Sequence, residues 1–403
     1  MTTDTMRPGT PPAPNIAAQP AFSNALVFLL ACAAGLSVAS LYYNQPILSM
    51  LAADFGVTPG EVGRVPTFTQ IGYALGILLL APVGDRFNRR HIILAKLGVL
   101  ALALLAVAGT HALWQLCALS IVIGVSASLA QDCVPAAAAI APEAQRGRIV
   151  GTVMTGLLLG ILLSRVVSGV FSDWLGWRAM FVAAGIALAV FGVVAWRRLP
   201  DFPPTTTLSY PALIGSLLTL WRKHPALRRA ALTQAFLSAA FSAFWSTLAV
   251  MLSQPPFGYG SSVAGLFGLA GALGALCAPL AGAMADRKGP ELVIRLSAGL
   301  VIVSFGAFAL APHNLWILVL GTLLFDLGVQ AGLIAHQSII YGLDAGARSR
   351  LTALLITAMF IGMAVGSALG SVVLESAGWR GLSLLAAGFG VVALVLRLLP
   401  GRR

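Results

Sequence analysis

Three ionisable side chains, Asp132, Arg165 and Asp326, stand inside long apolar runs of this 403-residue chain. An ionised group at a bilayer centre costs about 2.5–3.5 kcal/mol on insertion scales, so each marks a paired or functional site. A carboxylate sheltered from water can take up and release a proton, and a guanidinium can hold a carboxylate or gate a helix contact. At about 1.5 Å of rise per residue, Asp326 lies roughly 18 Å into a run that starts near Asn314, close to mid-membrane. Arg165 lies roughly 10 Å from the end of its run at Ser172, and Asp132 roughly 30 Å from Ala112, at the opposite edge. Three readings stay open for Asp326: a proton carrier, a substrate ligand, or a structural carboxylate tied to hydroxyls. Gln330 is one turn further on and faces the same way. Arg165 differs from Asp326 in depth by about 8 Å on the same rise, so it pairs with Asp326, gates a helix contact or binds an anionic cargo. Asp132 is expected to belong to the cytoplasmic edge, with a role in coupling as the alternative.

The runs that carry these residues define the class. The chain is 58% hydrophobic and 9% charged, against roughly 25% charged for a soluble domain. Apolar stretches near the roughly 20 residues that cross a bilayer recur at about 24–50, 62–84, 91–109, 112–134, 148–172 and 178–196, then 229–252, 261–285, 290–311, 314–337, 351–374 and 380–399. The reading is an all-α membrane protein of twelve transmembrane helices. A net charge of +12 would suit nucleic acid, but placement argues otherwise. Of 25 Lys and Arg, Arg64, Arg178 and Arg380 fall in one set of alternate loops, Arg165 lies inside a run, and the other 21 fall in the opposite loops or the tails. That asymmetry puts both termini in the cytoplasm and excludes a nucleic-acid partner.

The chain repeats itself. His111-Ala112-Leu113-Trp114 returns 202 residues later as His313-Asn314-Leu315-Trp316, and Gly176-Trp177-Arg178 as Gly378-Trp379-Arg380. Asp85-Arg86 returns at an offset of 201 as Asp286-Arg287. Six spans and six spans therefore make two bundles, 24–196 and 229–403, related by an axis along the membrane normal. Residues 197–228 form a cytoplasmic linker, in which Leu213, Ile214, Leu217, Leu218 and Trp221 share one face of a short amphipathic helix. Residues 1–23 are polar and Pro-rich, read as a disordered cytoplasmic tail without a cleavable signal. Cys32, Cys117, Cys133 and Cys277 sit in apolar segments as small core residues.

Asp85-Arg86-Phe87-Asn88-Arg89-Arg90, after span two, and Gly282-x-x-x-Asp286-Arg287-x-Gly289, after span eight, resemble the signature loop of the major facilitator superfamily, G-x-x-x-D-R-x-G-R-R. The likeness covers nearly the whole chain, and within the superfamily it is similar to bacterial drug and small-metabolite proton antiporters. It departs from that branch in having Ser120 ahead of Gly124 and no Gly-Pro after Gly160. A carboxylate at this loop can accept from a helix N-terminus or from Arg86, Arg89 and Arg90, a charge latch between helices; the alternative is that these arginines only set topology. Asn88 stands at a glycine of the motif and tolerates positive φ better than most residues.

The resemblance implies a secondary transporter with a central cavity, lined in part by span one. Tyr42, Tyr43, Asn44 and Gln45 near the end of that span would then touch substrate or anchor at the interface. Gly362, Gly366 and Gly370 share one face of span eleven and suit close packing between moving halves. His336 and Gln337, near the cytoplasmic end of span ten, are expected to cap or lie in a loop, with a proton relay as the alternative. No nucleophile set, metal cluster or G-x-x-x-x-G-K-[ST] loop occurs at workable spacing, so neither an enzyme nor an ATP-driven pump is indicated and no cofactor is expected. The expectation is a monomeric transporter of the bacterial inner membrane exporting a small molecule in exchange for protons. Import of a sugar or organic acid by symport or uniport is the alternative.

Overall fold

The computed structural model describes residues 23–204, 206–276 and 278–399. The tail expectation for residues 1–22 and the core assignment of Cys277 lie outside them. The described chain is helical throughout: α1 (Asn24–Ala39), α2 (Leu48–Phe55), α3 (Pro59–Val62), α4 (Arg64–Leu75), α5 (Ala81–Arg86), α6 (Arg89–Val107), α7 (Leu113–Ala127), α8 (Leu129–Ile140) and α9 (Arg146–Leu175). There follow α10 (Trp177–Arg198), α11 (Tyr210–Lys223), α12 (Pro225–Trp245), α13 (Leu248–Ser253), α14 (Ser261–Leu276), α15 (Ala278–Lys288), α16 (Pro290–Leu310), α17 (Leu315–Tyr341) and α18 (Arg348–Leu398).

These helices make twelve crossings in two halves of six. Span one is α1 with α2, and span seven is α12 with α13, each interrupted nearer its second end, with 16 and 8 helical residues on either side in the first and 21 and 6 in the second. Span two runs from α3 to α5 through a π-turn at Gly76–Leu80, just ahead of Pro82, which lacks the N–H a regular helix would use. Span four joins α7 to α8, span eight joins α14 to α15, and α18 carries spans eleven and twelve. The bend in α18 is Gly378, with φ of 63°. Gly176, at the matching junction of α9 and α10, has φ of 83°. Both need the left-handed region that a side chain disfavours, so the repeated Gly-Trp-Arg is a repeated turn.

Capping residues set several starts. Thr58 and Glu61 form a capping box on α3, Asn314 Oδ1 accepts from the first turn of α17, and Pro225 and Pro290 open α12 and α16 where a missing N–H is harmless. The first helix of the second half starts at Pro225, with His224 alone between it and the linker helix α11. That helix lays Leu213, Leu217 and Leu220 inward.

Within the first half α1 packs on α9, α4 on α7 and α6 on α10; across the halves α14 packs on α9 and α18 on α4. Large apolar residues, among them Leu310 and Val303, face outward, and Trp114, Trp174 and Trp316 stand exposed at span ends, as side chains at a lipid boundary do. Gly362, Gly366 and Gly370 do lie in close backbone contact, but with Ala235, Ala239 and Ala243 of α12. That contact is internal to the second half, correcting the expectation that it joins the two.

The structure also corrects the charge map. Lys96 is not a loop residue: it is buried in α6, and its Nζ donates to Asp132 Oδ2 at 2.7 Å and Ser128 Oγ at 3.0 Å. His336 is neither cap nor loop, because α17 continues to Tyr341. It is fully buried, with Nδ1 2.9 Å from Gln234 Oε1.

Candidate functional site

The two broken spans meet, α13 packing on α2 and on the turn ahead of it, and the candidate centre lies at this contact. The break in span one spans Ser40 to Asn44, ahead of a 3-10 turn at Gln45–Ile47; span seven breaks at Ser246–Thr247. Asn44 and Gln45 map onto Ser246 and Thr247 at the repeat offset of 202. Corresponding interruptions in two repeats expose backbone polar groups that a continuous helix would consume, which makes their meeting point the candidate site.

Around these breaks the structure gathers Arg165, Asp326, Tyr42 and Gln45. Arg165, on α9, is 3% exposed. Its Nε donates to Gln45 Oε1 at 2.8 Å. Its guanidinium carbon lies 4.6 Å from the Tyr42 ring centroid, 4.1 Å from that of Trp245 and 5.8 Å from that of Phe241. Such cation–π contacts contribute about 2 kcal/mol each when desolvated, which helps offset the burial of the charge. Asp326, on α17, is 5% exposed and accepts from Trp245 Nε1 at 3.3 Å. Arg165 and Asp326 do not close to a direct ion pair; the Trp245 indole stands between them, its face to the cation and its N–H to the carboxylate. Gly271 of α14 leaves room for this arrangement, since a Cβ there would run into Asp326 Oδ2 and the Trp245 ring.

The neighbouring predicted residues are placed differently. Tyr43 packs edge-on against Phe181, and its carbonyl accepts from Ser168 Oγ at 2.5 Å. Asn44 donates to Thr69 Oγ1 at 3.2 Å. Gln330 is half-buried one turn beyond Asp326, whose hydrogen bond comes from Trp245 instead. Gln70 Nε2 donates to Ser242 Oγ at 2.9 Å, a polar link between the halves one helical turn from the centre. Trp245, Gln70 and Ser242 escaped the sequence reading. The repeat carried a signal for one of them, because Trp245 occupies the position of Tyr43 in the second copy.

The signature loops are far from this centre. Asp85 Oδ1 accepts from Arg89 Nη2 at 2.7 Å, and Arg90 Nη2 donates to the Trp196 carbonyl at 2.8 Å. Asn88 has φ of −59°, so it serves as a cap for Arg90 N–H rather than as a left-handed turn. Its amide also donates to Asp201 at 2.8 Å. That hydrogen bond, with Arg90 nearby, holds the exposed Asp201 carboxyl below the usual range. Arg86 lies over the Phe87 ring. In the second copy Asp286 and Arg287 are exposed at the end of α15, and among the described residues neither makes an ion pair. Gly282 has open space around it, with Ile334 Cγ2 at 3.7 Å from an added Cβ, and Gly289, with φ of 88°, turns the chain into α16.

Twelve crossings in two pseudo-equivalent halves, with buried charges where two broken helices face each other, define a membrane transporter rather than an enzyme. The sequence profile described as the Major Facilitator Superfamily matches residues 30–343 and 275–403. The chain belongs to the major facilitator superfamily. It is 38% identical over 374 residues to the "Uncharacterized transporter YgaY" of Escherichia coli O157:H7, covering 93% of this chain and 95% of that one. To the "Probable transporter SCO4007" of Streptomyces coelicolor it is 33% identical over 360 residues, covering 89% and 83%. The solved structure of a point mutant of the nucleoside transporter NupG superposes with a TM-score of 0.76 at 14% identity, covering 93% of this chain and 99% of that one, a likeness of fold.

Proposed function

We propose that this transporter moves a small molecule across the bacterial inner membrane by alternating access, coupled to protons through Asp326, with both termini in the cytoplasm. The observation that supports it is the Trp245 bridge. One indole on a broken helix of the second half contacts a buried cation of the first half and a buried carboxylate of its own half. Rocking the halves apart pulls Arg165 from Trp245, changes the charge seen by Asp326, and so links its proton to the conformation. Asp85, Arg89 and Arg90 tie spans two, three and six to the linker, keeping the first half rigid as it moves.

The direction depends on the cargo. A cation competing with the proton for Asp326 gives export by exchange. An anion on Arg165 travels with the proton and gives import, the second reading, favoured by the position of that guanidinium. The test is the internal pH of everted vesicles energised to an acidic interior, as drugs and metabolites are added. Release of protons by the native protein and not by Asp326→Asn supports coupling through Asp326. Cargo movement without proton flux in either protein removes Asp326 from the coupling role.

A further inference from the structure

The guanidinium of Arg165 is only partly used by the protein. Tyr42 and Trp245 cover its faces. Nε is spent on Gln45 Oε1 at 2.8 Å, and Nη1 reaches the Ile161 carbonyl at 3.5 Å. Nη2 is buried and has no protein partner, and neither has Nε2 of Gln45, the amide already joined to Arg165. Both residues line one seam too tight to admit a water molecule in this conformation, with Pro46, Leu248, Ala249 and Ala264 as its apolar walls, so a cargo reaches it only as the halves part. A buried donor without an acceptor is costly, and here two such donors belong to two side chains already hydrogen-bonded to each other.

What satisfies two neighbouring N–H donors next to a positive charge is a planar group with two acceptor oxygens and one negative charge. A cationic cargo would meet Arg165 unshielded, and a neutral alcohol would offer one acceptor and leave the charge uncompensated. The apolar walls suit a hydrocarbon body. We infer that the cargo is a small apolar monocarboxylate, held by the free edge of Arg165 and the Gln45 amide, and that it binds together with a proton on Asp326.

The second half of this statement rests on the proton-coupled reading above. The charged and titratable groups facing Asp326 are Arg165 of α9 and Tyr42 of the span-one break, with Trp245 donating from α12. Across the Trp245 indole the charge of Arg165 attracts that of Asp326. A carboxylate on Arg165 cancels that charge and adds repulsion, so anion binding and protonation of Asp326 favour each other, and by reciprocity each strengthens the other equally. Cotransport, not exchange, follows.

The probe is benzoate, with benzamide as its neutral counterpart, added at millimolar concentration to the full-length protein in detergent while thermal unfolding is followed at mildly acid and mildly alkaline pH. A ligand of the folded state raises the midpoint. Benzoate is expected to raise it and benzamide is not. The apparent affinity for benzoate should fall about tenfold from acid to alkaline pH in the native protein and stay constant in Asp326→Asn. Arg165→Gln should abolish the shift. Gln45→Glu, which lays a carboxylate over the free donors while leaving Arg165 compensated, should do the same in a protein that folds. Equal shifts with benzoate and benzamide, or a benzoate shift that survives both variants, overturn the anion site. Binding that needs Arg165 but ignores pH keeps the anion site and removes the proton coupling. Proton-coupled movement of a cation in vesicles, with no benzoate shift, leaves the coupling reading intact and sinks the carboxylate.

Discussion

At the scale of single residues, the buried pair of Lys96 and Asp132 separates structural charge from functional charge. The two close to 2.7 Å, and Ser128 satisfies a further proton of the ammonium. Removing one partner of such a pair typically costs about 3–5 kcal/mol, because the other charge is left uncompensated, whereas replacing both with apolar groups is near neutral. Asp132→Asn is therefore expected to destabilise by that amount, and Lys96→Met with Asp132→Leu to restore most of it, measured by chemical unfolding in micelles. Gly271→Ala should behave in the opposite way. It adds one methyl against Asp326 and Trp245, so transport should fall at least about tenfold while the protein stays folded, read by uptake or efflux assay beside unfolding. Asp132 was visible in the sequence as a charge at the membrane edge. Its partner was not, because a lysine a turn and a half beyond Arg90 reads as one more member of a basic edge until α6 is placed against α8.

Among the helices, the spans themselves were legible from hydropathy, since a bilayer imposes length and apolarity on every crossing. The breaks in spans one and seven were not. Asn44-Gln45 and Ser246-Thr247 are short polar pairs that a continuous helix tolerates, and only tertiary packing opens it there. Two turns were legible through the repeat, and they make a matched prediction. Gly176→Ala and Gly378→Ala each force a side chain into the left-handed region and should each cost about 1–2 kcal/mol in the same unfolding assay. The linker offers a pH test. The Asn88 amide, with Arg90, holds Asp201 below the usual carboxylate range, so the contact is stabilising above the unfolded value of about 3.9 and is lost as pH falls through the lower folded value. Hydrogen exchange at Phe202, whose N–H donates to Asn88, should stay slow at pH near 5 and quicken only under stronger acid.

For the whole molecule, hydrogen bonds between the halves gather toward the end away from the arginine-rich loops. Glu375 Oε2 accepts from Thr58 Oγ1 at 3.1 Å and Gly60 N–H at 2.8 Å; Asp173 accepts from the N–H groups of Ser261 and Ser262; Ser367 Oγ donates to the Gly63 carbonyl. These contacts clasp the two halves together at that end. Glu375→Gln should loosen it, so that a cysteine placed at Ser371 reacts severalfold faster with an impermeant maleimide than in the parent. A reporter active only outside the cytoplasm should work when fused at Gly258 and fail at Leu208, as the distribution of arginine requires.

The matched breaks carry a last implication. Tyr43 and Trp245 hold the same register in the two copies, yet the first copy's break, through Gln45, supports a cation and the second's, through Trp245, supports a carboxylate. On the proposed reading, an ancestral duplication has specialised by division of labour: one inherited discontinuity supports the counter-charge for a passenger, and its twin supports the holder of the currency that drives it.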